Sequence, residues 1–223
     1  MKIILLCMTV CLFAACEKQT KTTGSTEKNP ANKTESVTTV TAEEEKKACC
    51  SEHPSPAAVE ATEDSIYQIE SVWKDDAGSD RKLKSLGGRV QVISMGYSTC
   101  KYACPRLLAD MRLIEKGLSP DARKSTGFTF VSIDPEADTP ERLAEYRKEN
   151  KIDSDRWTLL TAPTPSVQEL AVVLGIQYRK TGDKDFAHSN IITVLNKNGE
   201  VIHRQEGLAA DPAETIKAIT AAQ

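Results

Sequence analysis

The sequence has no excess of charge of either sign. Its 29 lysines and arginines face 32 aspartates and glutamates, which leaves a formal net charge of −3. A protein that binds nucleic acid normally concentrates positive charge in a patch or along one face. The composition gives no sign of such a surplus, so we expect no nucleic-acid partner.

The sequence also lacks a framework of disulfide-forming cysteines. Of its seven cysteines, three lie within the first 16 residues, two are adjacent at Cys49 and Cys50, and only Cys100 and Cys104 lie in the region that we expect to fold. Small secreted folds that depend on disulfides carry several pairs. Roughly 160 residues remain for the folded region, which is enough to bury a core of its own.

Long apolar runs are absent apart from residues 3–15. This run is too short to span a bilayer, and we interpret residues 1–15 as a lipoprotein signal peptide. Its ending, Leu12-Phe13-Ala14-Ala15-Cys16, resembles a bacterial lipobox, in which the cysteine becomes lipidated. An ordinary signal peptide, with Cys16 incidental, is the alternative. Lipidation would hold the exported protein on a bacterial membrane, facing the periplasm or the cell exterior.

Residues 16–65 contain few large apolar side chains and are rich in Thr, Glu, Lys, Ser, Ala and Pro. This composition predicts a lipidated cysteine followed by a disordered tether, which would span roughly 40 Å root-mean-square. Within it, Cys49, Cys50 and His53 are a candidate second site, for a soft metal or for resolving a disulfide elsewhere. They lack the spacing of a zinc site, so exposed thiols without a fixed role are the alternative.

Residues 66–223 alternate between strand and helix patterns. The predicted strands cover residues 65–73, 89–95, 128–133 and 157–160, and a hairpin joins 186–195 to 200–204 through a turn at 196–199. The predicted helices cover residues 100–117, 140–150, 166–174 and 212–219. This order indicates a single α/β domain with a central mixed sheet, largely parallel with an antiparallel edge pair, flanked by helices.

Two cysteines lie where the strand at 89–95 gives way to a helix. Gly96 predicts a tight turn after the strand, and Cys100 and Cys104 follow four residues apart, so that both fall on one face of the first helical turn. A helix N-terminus favours negative charge and lowers the pKa of thiols. Two converging thiolates either exchange a disulfide or hold a soft metal. A structural disulfide would close almost no loop and would add little stability.

Three stretches resemble the Sco/SenC family of copper-binding proteins, whose members assist assembly of the binuclear copper site of cytochrome c oxidase. The stretches are Gly96 to Pro105, with two cysteines separated by three residues before a proline; Val131 to Glu141, with Asp-Pro and Thr-Pro pairs; and Phe186 to Ser189, followed by Asn198-Gly199-Glu200. The resemblance runs from about Tyr67 to Ile216. It implies a thioredoxin-like fold, in agreement with a thiol pair at a strand-to-helix junction.

By this resemblance Cys100, Cys104 and His188 are copper ligands. Two thiolates suit Cu(I), and an added imidazole lets the site hold Cu(II) as well. The implied partner is the copper-bearing subunit of cytochrome c oxidase, with other copper carriers or thiol reductants as further candidates. One residue departs from the family pattern: Lys101 stands where many members have proline, and its charge should lower the pKa of the thiols.

Several neighbouring residues have two interpretations. Asp134 is either an acceptor that orients a ligand or a turn former before Pro135. We expect Met95 to pack in the core and His203 to be a solvated sheet residue.

The function also has alternatives. A thiol–disulfide oxidoreductase that reduces partner cysteines needs Cys100 and Cys104 but not His188. A peroxidase of the peroxiredoxin type would also place a cysteine near a helix start. The Cys-x-x-x-Cys spacing and His188 favour a copper metallochaperone, a binding protein and not an enzyme in the usual sense.

Overall fold

A seven-stranded mixed sheet lies at the centre of the fold in the computed structural model, which describes residues 62–153 and 155–223. The strands are β1 (Trp73–Asp75), β2 (Asp80–Arg81), β3 (Val90–Gly96), β4 (Thr126–Ser132), β5 (Trp157–Thr161), β6 (Tyr178–Lys180), β7 (Phe186–His188), β8 (Ile191–Leu195) and β9 (Val201–Glu206). The helices are α1 (Ala103–Gly117), α2 (Pro120–Lys124), α3 (Pro140–Glu149), α4 (Thr164–Leu174) and α5 (Ala213–Ala221), with 3-10 helices at Ile66–Gln68 and Leu83–Leu86.

The strands of the main sheet follow the order β2-β1-β5-β4-β3-β8-β9. Strands β3, β4 and β5 are parallel, and every other pairing in this sheet is antiparallel. Strands β6 and β7 form a separate two-stranded sheet. The predicted α/β domain with a mixed central sheet is therefore confirmed.

Alternating side chains along the strands pack into two hydrophobic cores, one on each face of the sheet. On β3, Val90 and Val92 belong to the core that is covered by α1, α3 and α5, whereas Ile93 and Met95 belong to the core covered by α4 and the 3-10 helices. Because both faces are covered, β3 and β4 are buried along their whole length. The prediction that Met95 packs in the core is confirmed.

Local signals in the sequence account for the helix ends. Thr139 caps α3 by accepting a hydrogen bond from the backbone N–H of Arg142, and Pro140 occupies the first helical position. Gly175 ends α4 in the left-handed conformation, with φ of 72°. No helix in residues 62–153 or 155–223 is long and apolar enough to cross a membrane.

The strand predicted at 65–73 is wrong over most of its length. Ser65 accepts a hydrogen bond from the backbone N–H of Tyr67, which starts the 3-10 helix at Ile66–Gln68, and the strand β1 begins only at Trp73. Ile66 and Tyr67 are both buried in the same core, whereas consecutive side chains of a strand would point to opposite faces. Ser65, which the sequence places at the end of the tether, is buried and pairs with Glu200.

The predicted hairpin is wrong in its first arm. Residues 186–195 form two strands instead of one, because β7 pairs with β6 while β8 pairs with β3 and β9. The turn at 196–199 is present, with Gly199 at φ of 83°. The signal peptide, the lipidated Cys16 and the site at Cys49, Cys50 and His53 lie outside the described residues.

Candidate metal centre

The structure brings Cys100, Cys104 and His188 together. One ligand atom from each residue lies within 4.8 Å of the other two. The Sγ atom of Cys104 is 3.8 Å from Nε2 of His188. These residues come from three elements: the loop after β3, the second position of α1, and the end of β7.

The position of Cys100 differs from the prediction. Helix α1 begins at Ala103, so Cys100 lies in the loop before the helix and not on its first turn. The helix N-terminus still reaches this residue, because the backbone N–H of Cys104 donates a hydrogen bond to the Sγ atom of Cys100 at 3.4 Å. In turn, the backbone N–H of Cys100 bonds to the carbonyl oxygen of Tyr97 at 3.3 Å and closes a tight turn.

Gly96 makes room for the buried thiol. A Cβ atom at this position would lie 2.9 Å from Sγ of Cys104, closer than such atoms approach in folded proteins, and 3.0 Å from the ring of Phe130, which is a tight contact. The next residue, Tyr97, donates its backbone N–H to the same Sγ atom at 3.4 Å. The end of β3 therefore holds the sulfur of Cys104 directly against the backbone.

The two thiols differ in burial and in acidity. Burial by itself would raise the pKa of Cys100, but hydrogen bonds from the backbone N–H groups of residues 102–104 lower that pKa below its ordinary value. Burial raises the pKa of Cys104, and the nearby charges of Cys100 and Asp138 raise it further. The prediction of a lowered pKa thus holds for Cys100 and is wrong for Cys104, which is 1% exposed.

His188 is oriented by its neighbours. Its Nδ1 atom lies 3.1 Å from the carbonyl oxygen of Ser189, which can only accept a hydrogen bond, so Nδ1 carries the proton and Nε2 keeps its lone pair for a metal. Tyr97 stands edge-on to the imidazole, with ring centroids 6.1 Å apart. Tyr97 also contacts Phe186 at 5.3 Å and accepts a hydrogen bond from its backbone N–H. This aromatic pair links β7 to the cysteine loop.

Asp134 is buried just past the end of β4. Burial raises the pKa of its carboxyl group, and the charge of Asp138 adds to the effect. Among the hydrogen bonds of the described residues, none joins its carboxylate to a candidate ligand, so its orienting role stays a prediction. His203 differs from its prediction, because its Nε2 atom lies 3.0 Å from the hydroxyl of Thr215 and its ring is half-buried.

Asp138 also belongs to the site, although its place in the sequence did not predict this. It is fully buried, and its carboxylate accepts hydrogen bonds from Ser98, two residues before Cys100, and from Ser132 at the end of β4. In the sequence it stands directly before the Thr139-Pro140 helix start, within a stretch that resembles the family, and no role was assigned to it. A carboxylate in the Asp-Pro-x-x-Asp run that follows a buried strand also fits a buried acceptor.

The donor set favours a soft metal. Two cysteine sulfurs and one imidazole nitrogen suit copper in its lower oxidation state, and the nitrogen extends the range to the higher one. A closed structural zinc site uses four protein ligands, and the cluster among the described residues offers three. Three ligands leave room for a further donor from outside the chain.

Comparisons with known proteins show the family of this chain. The family model SCO1/SenC matches residues 60–222. A Stutzerimonas stutzeri protein, provisionally described as copper-binding, is 25% identical over 143 residues, which are 62% of this chain and 68% of that protein. The chain spans between 42% and 68% of the length of the first curated relatives it matches.

Solved structures share the fold. The copper-bound structure of Bradyrhizobium japonicum ScoI aligns with a TM-score of 0.58 and 20% identity, covering 68% of this chain and 96% of that one. BsSco, described as a member of the Sco family of cytochrome c oxidase assembly proteins with a disulfide switch, aligns with a TM-score of 0.60 and 22% identity, covering 68% and 90%. These similarities confirm the predicted thioredoxin-like fold. The chain belongs to the SCO1/SenC family.

Proposed function

We propose that this protein binds one copper ion through Cys100, Cys104 and His188 and delivers it to the copper-bearing subunit of cytochrome c oxidase. The observation that carries the proposal is the convergence of these three donor atoms within 4.8 Å in a chain of the SCO1/SenC family. The copper-bound relative of the same fold supports it.

The chemistry of the three ligands suits a carrier. Thiolates bind Cu(I) tightly, and the imidazole of His188 stabilises Cu(II) as well. Cys104 is held against the backbone of β3, whereas Cys100 is only half-buried in the loop before α1. An incoming donor from a partner can therefore approach from the side of Cys100 while the metal stays bound to Cys104.

The proposal includes a place in the cell. Lipidation of Cys16 would anchor the protein on the exported side of a bacterial membrane, where the copper-bearing subunit of the oxidase would be within the reach of the tether. Support for this part comes from the sequence alone.

The test is an anaerobic Cu(I) titration against a chromophoric chelator. The protein is residues 17–223 with Cys49 and Cys50 replaced by serine, so that Cys100 and Cys104 are its only cysteines. We expect one tightly held ion in this protein, and a large loss of affinity in the Cys100→Ala and His188→Ala variants. His203→Ala is the matched control, because this histidine contacts Thr215 away from the thiols. A His188→Ala variant with full affinity would disprove the ligand assignment.

Thiol–disulfide exchange is a second candidate, and the difference between the two thiols favours it. Cys100, with its lowered pKa, would attack one sulfur of a partner disulfide and release the other as a thiolate. Cys104 would then lose its proton and attack Cys100, which releases the second partner thiol and leaves a Cys100–Cys104 disulfide. Two electrons pass to the partner, and an external thiol reductant restores the pair.

His188 separates the two functions. The His188→Ala variant should lose copper affinity but keep its rate of reaction with a model disulfide, because exchange needs only the two sulfurs. A fall in both quantities by similar factors would mean that His188 supports the loop and not only the metal.

A further inference from the structure

Asp138 is a charged residue sealed from solvent next to the thiols. Its side chain is 0% exposed. Its Oδ2 atom accepts hydrogen bonds from the backbone N–H of Ser98 at 3.0 Å and from the hydroxyl of Ser132 at 2.6 Å, and Oδ1 accepts from the hydroxyl of Ser98 at 2.5 Å. A buried carboxylate is tolerated when donors of this kind surround it.

These bonds hold the turn that carries Cys100. Ser98 is the second residue of the four-residue turn that the backbone N–H of Cys100 closes onto the carbonyl oxygen of Tyr97. Asp138 accepts hydrogen bonds from both the backbone N–H and the hydroxyl of Ser98, and so fixes this residue. Ser132 is the register partner of Gly96 across β3 and β4, so the same carboxylate ties the turn to the end of the neighbouring strand.

The hydrogen bond between Ser98 and Asp138 is also polarised by Arg142, from the side of the protein surface. The Nε atom of Arg142 donates a hydrogen bond to the hydroxyl of Ser98 at 3.1 Å. The same guanidinium pairs with Glu149 at 2.9 Å and Glu145 at 3.1 Å. The hydroxyl of Ser98 thus accepts from a cation and donates to an anion, an arrangement in which each bond strengthens the next.

Asp138 differs from a carboxylate that merely stabilises its own turn. Asp75 is the comparison: it is also buried, and it accepts hydrogen bonds from the backbone N–H groups of Ala77 and Ser79 and from Nε of Arg81, all within six residues. The partner of Asp138 in the cysteine loop is 40 residues away in the chain. Its bonds therefore shape the site and not the local backbone alone.

We propose that Asp138 is a positioning residue for copper binding, which places the sulfur of Cys100 by fixing the Tyr97–Cys100 turn through Ser98. This inference rests on the proposed copper function. Groups that support metal ligands commonly change metal affinity tenfold to hundredfold. We assign an effect of that size to Asp138, although it touches no ligand atom.

The test compares two asparagine variants in the residue 17–223 protein described above. Asp138→Asn keeps the shape of the side chain but turns an NH₂ group toward hydroxyl and amide donors. We expect its Cu(I) affinity, measured by chelator competition well below the unfolding temperature, to fall about tenfold to hundredfold. The charge-transfer absorption band of the thiolate-bound Cu(II) should also shift or broaden.

Asp75→Asn is the matched control. It removes a buried carboxylate of similar hydrogen bonding, on β1, three strand positions from β3 or about 14 Å at the usual strand spacing. We expect it to lower the midpoint of urea unfolding while leaving the copper affinity and the absorption band unchanged. Ser98→Ala, which keeps the backbone bond to Asp138 and loses only the hydroxyl, should weaken copper binding in the same direction by a smaller factor.

Two results would overturn the positioning role: full copper affinity in Asp138→Asn, or an equal loss in Asp75→Asn. If Asp138→Asn does not fold, Ser98→Ala decides, since full affinity and an unchanged absorption band there would refute the proposal. Failure of the copper function itself has another signature, because the protein with native Asp138 and Ser98 would then retain no copper in the same titration.

Discussion

The contact between Gly96 and the sulfur of Cys104 makes a sharp prediction for the Gly96→Ala variant. The new Cβ atom would stand 2.9 Å from Sγ of Cys104, half an ångström short of the 3.4 Å at which ordinary contact begins. It would also stand 3.0 Å and 3.3 Å from two atoms of the Phe130 ring. One of these neighbours must move.

The ring is the less able to move. Phe130 is buried and stacks on Tyr146, with ring centroids 5.4 Å apart. The sulfur of Cys104 is therefore displaced, toward the space that it shares with Cys100 and His188. Overpacking of this kind costs about 1–3 kcal/mol of folding free energy. A shift of about half an ångström exceeds the ±0.2 Å within which metal–ligand distances are held, so we expect at least about a tenfold loss of Cu(I) affinity.

The assay pairs urea unfolding with Cu(I) chelator competition, and Gly117→Ala is the matched control. At Gly117 the added Cβ would clash with the Cδ1 atom of Ile216, at the opposite end of α1 from Cys104. That flexible side chain can turn away, and the change leaves the thiols untouched. We expect Gly117→Ala to retain the copper affinity of the unaltered protein.

Unchanged copper affinity in Gly96→Ala would refute the reasoning, because it would show that the position of the sulfur does not depend on the bare backbone at the end of β3. Loss of affinity in both alanine variants would also refute it, since the effect would then follow general destabilisation.

Three further predictions concern the cysteines. Because burial holds the pKa of Cys104 above its ordinary value, Cu(I) must displace a proton from this thiol even above about pH 8.5, where an ordinary thiol ionises, and affinity should keep rising about tenfold per pH unit between about pH 9 and pH 10; chelator titrations whose profile levels off in this range would contradict the reasoning. Limited alkylation with iodoacetamide should modify Cys100 well before Cys104, as read by peptide mass spectrometry, because Cys100 is the more exposed and the more acidic. In the full-length chain, Cys16→Ser should move the protein from the membrane fraction to the soluble fraction; equal membrane retention would point to another anchor.

Elements with strong local signals could be predicted from the sequence. The β-branched run before Gly96 is strand β3, and Thr139-Pro140 starts α3 as expected. Gly175 ends α4 because a residue without a Cβ atom adopts the left-handed conformation without strain. In each case the residues that decide the structure lie within one or two turns of one another.

Elements that depend on distant partners could not be predicted in this way. The alternation between residues 65 and 73 suggested a strand, but Ile66 bonds through its backbone N–H to the carbonyl oxygen of Gly199 and turns into a 3-10 helix. The run at 186–195 was divided because β7 found a partner in β6. Neither partner is visible from the pattern of apolar residues in the segment itself.

The candidate ligands illustrate both what the sequence could predict and what it could not. Spacing alone brought Cys100 and Cys104 into one site, and the family resemblance was needed to add His188, which lies on the separate two-stranded sheet. The role of Asp138 depends on its bond to Ser98, a contact between two loops that only the register of β3 and β4 brings together.

The start of helix α1 decides how the two cysteines differ, and this follows from neither their spacing nor the family pattern. Because the helix begins at Ala103, Cys100 remains in the loop, where its sulfur accepts hydrogen bonds from backbone N–H groups and stays partly exposed to solvent. Cys104 falls inside the helix and turns toward the bare backbone of Gly96, where burial favours its protonated form. Cys100 is thus accessible to a partner, and Cys104 is placed to hold what is bound. The same asymmetry would serve either proposed function, copper transfer or disulfide exchange, so His188 and not the cysteine pair is the residue that distinguishes them.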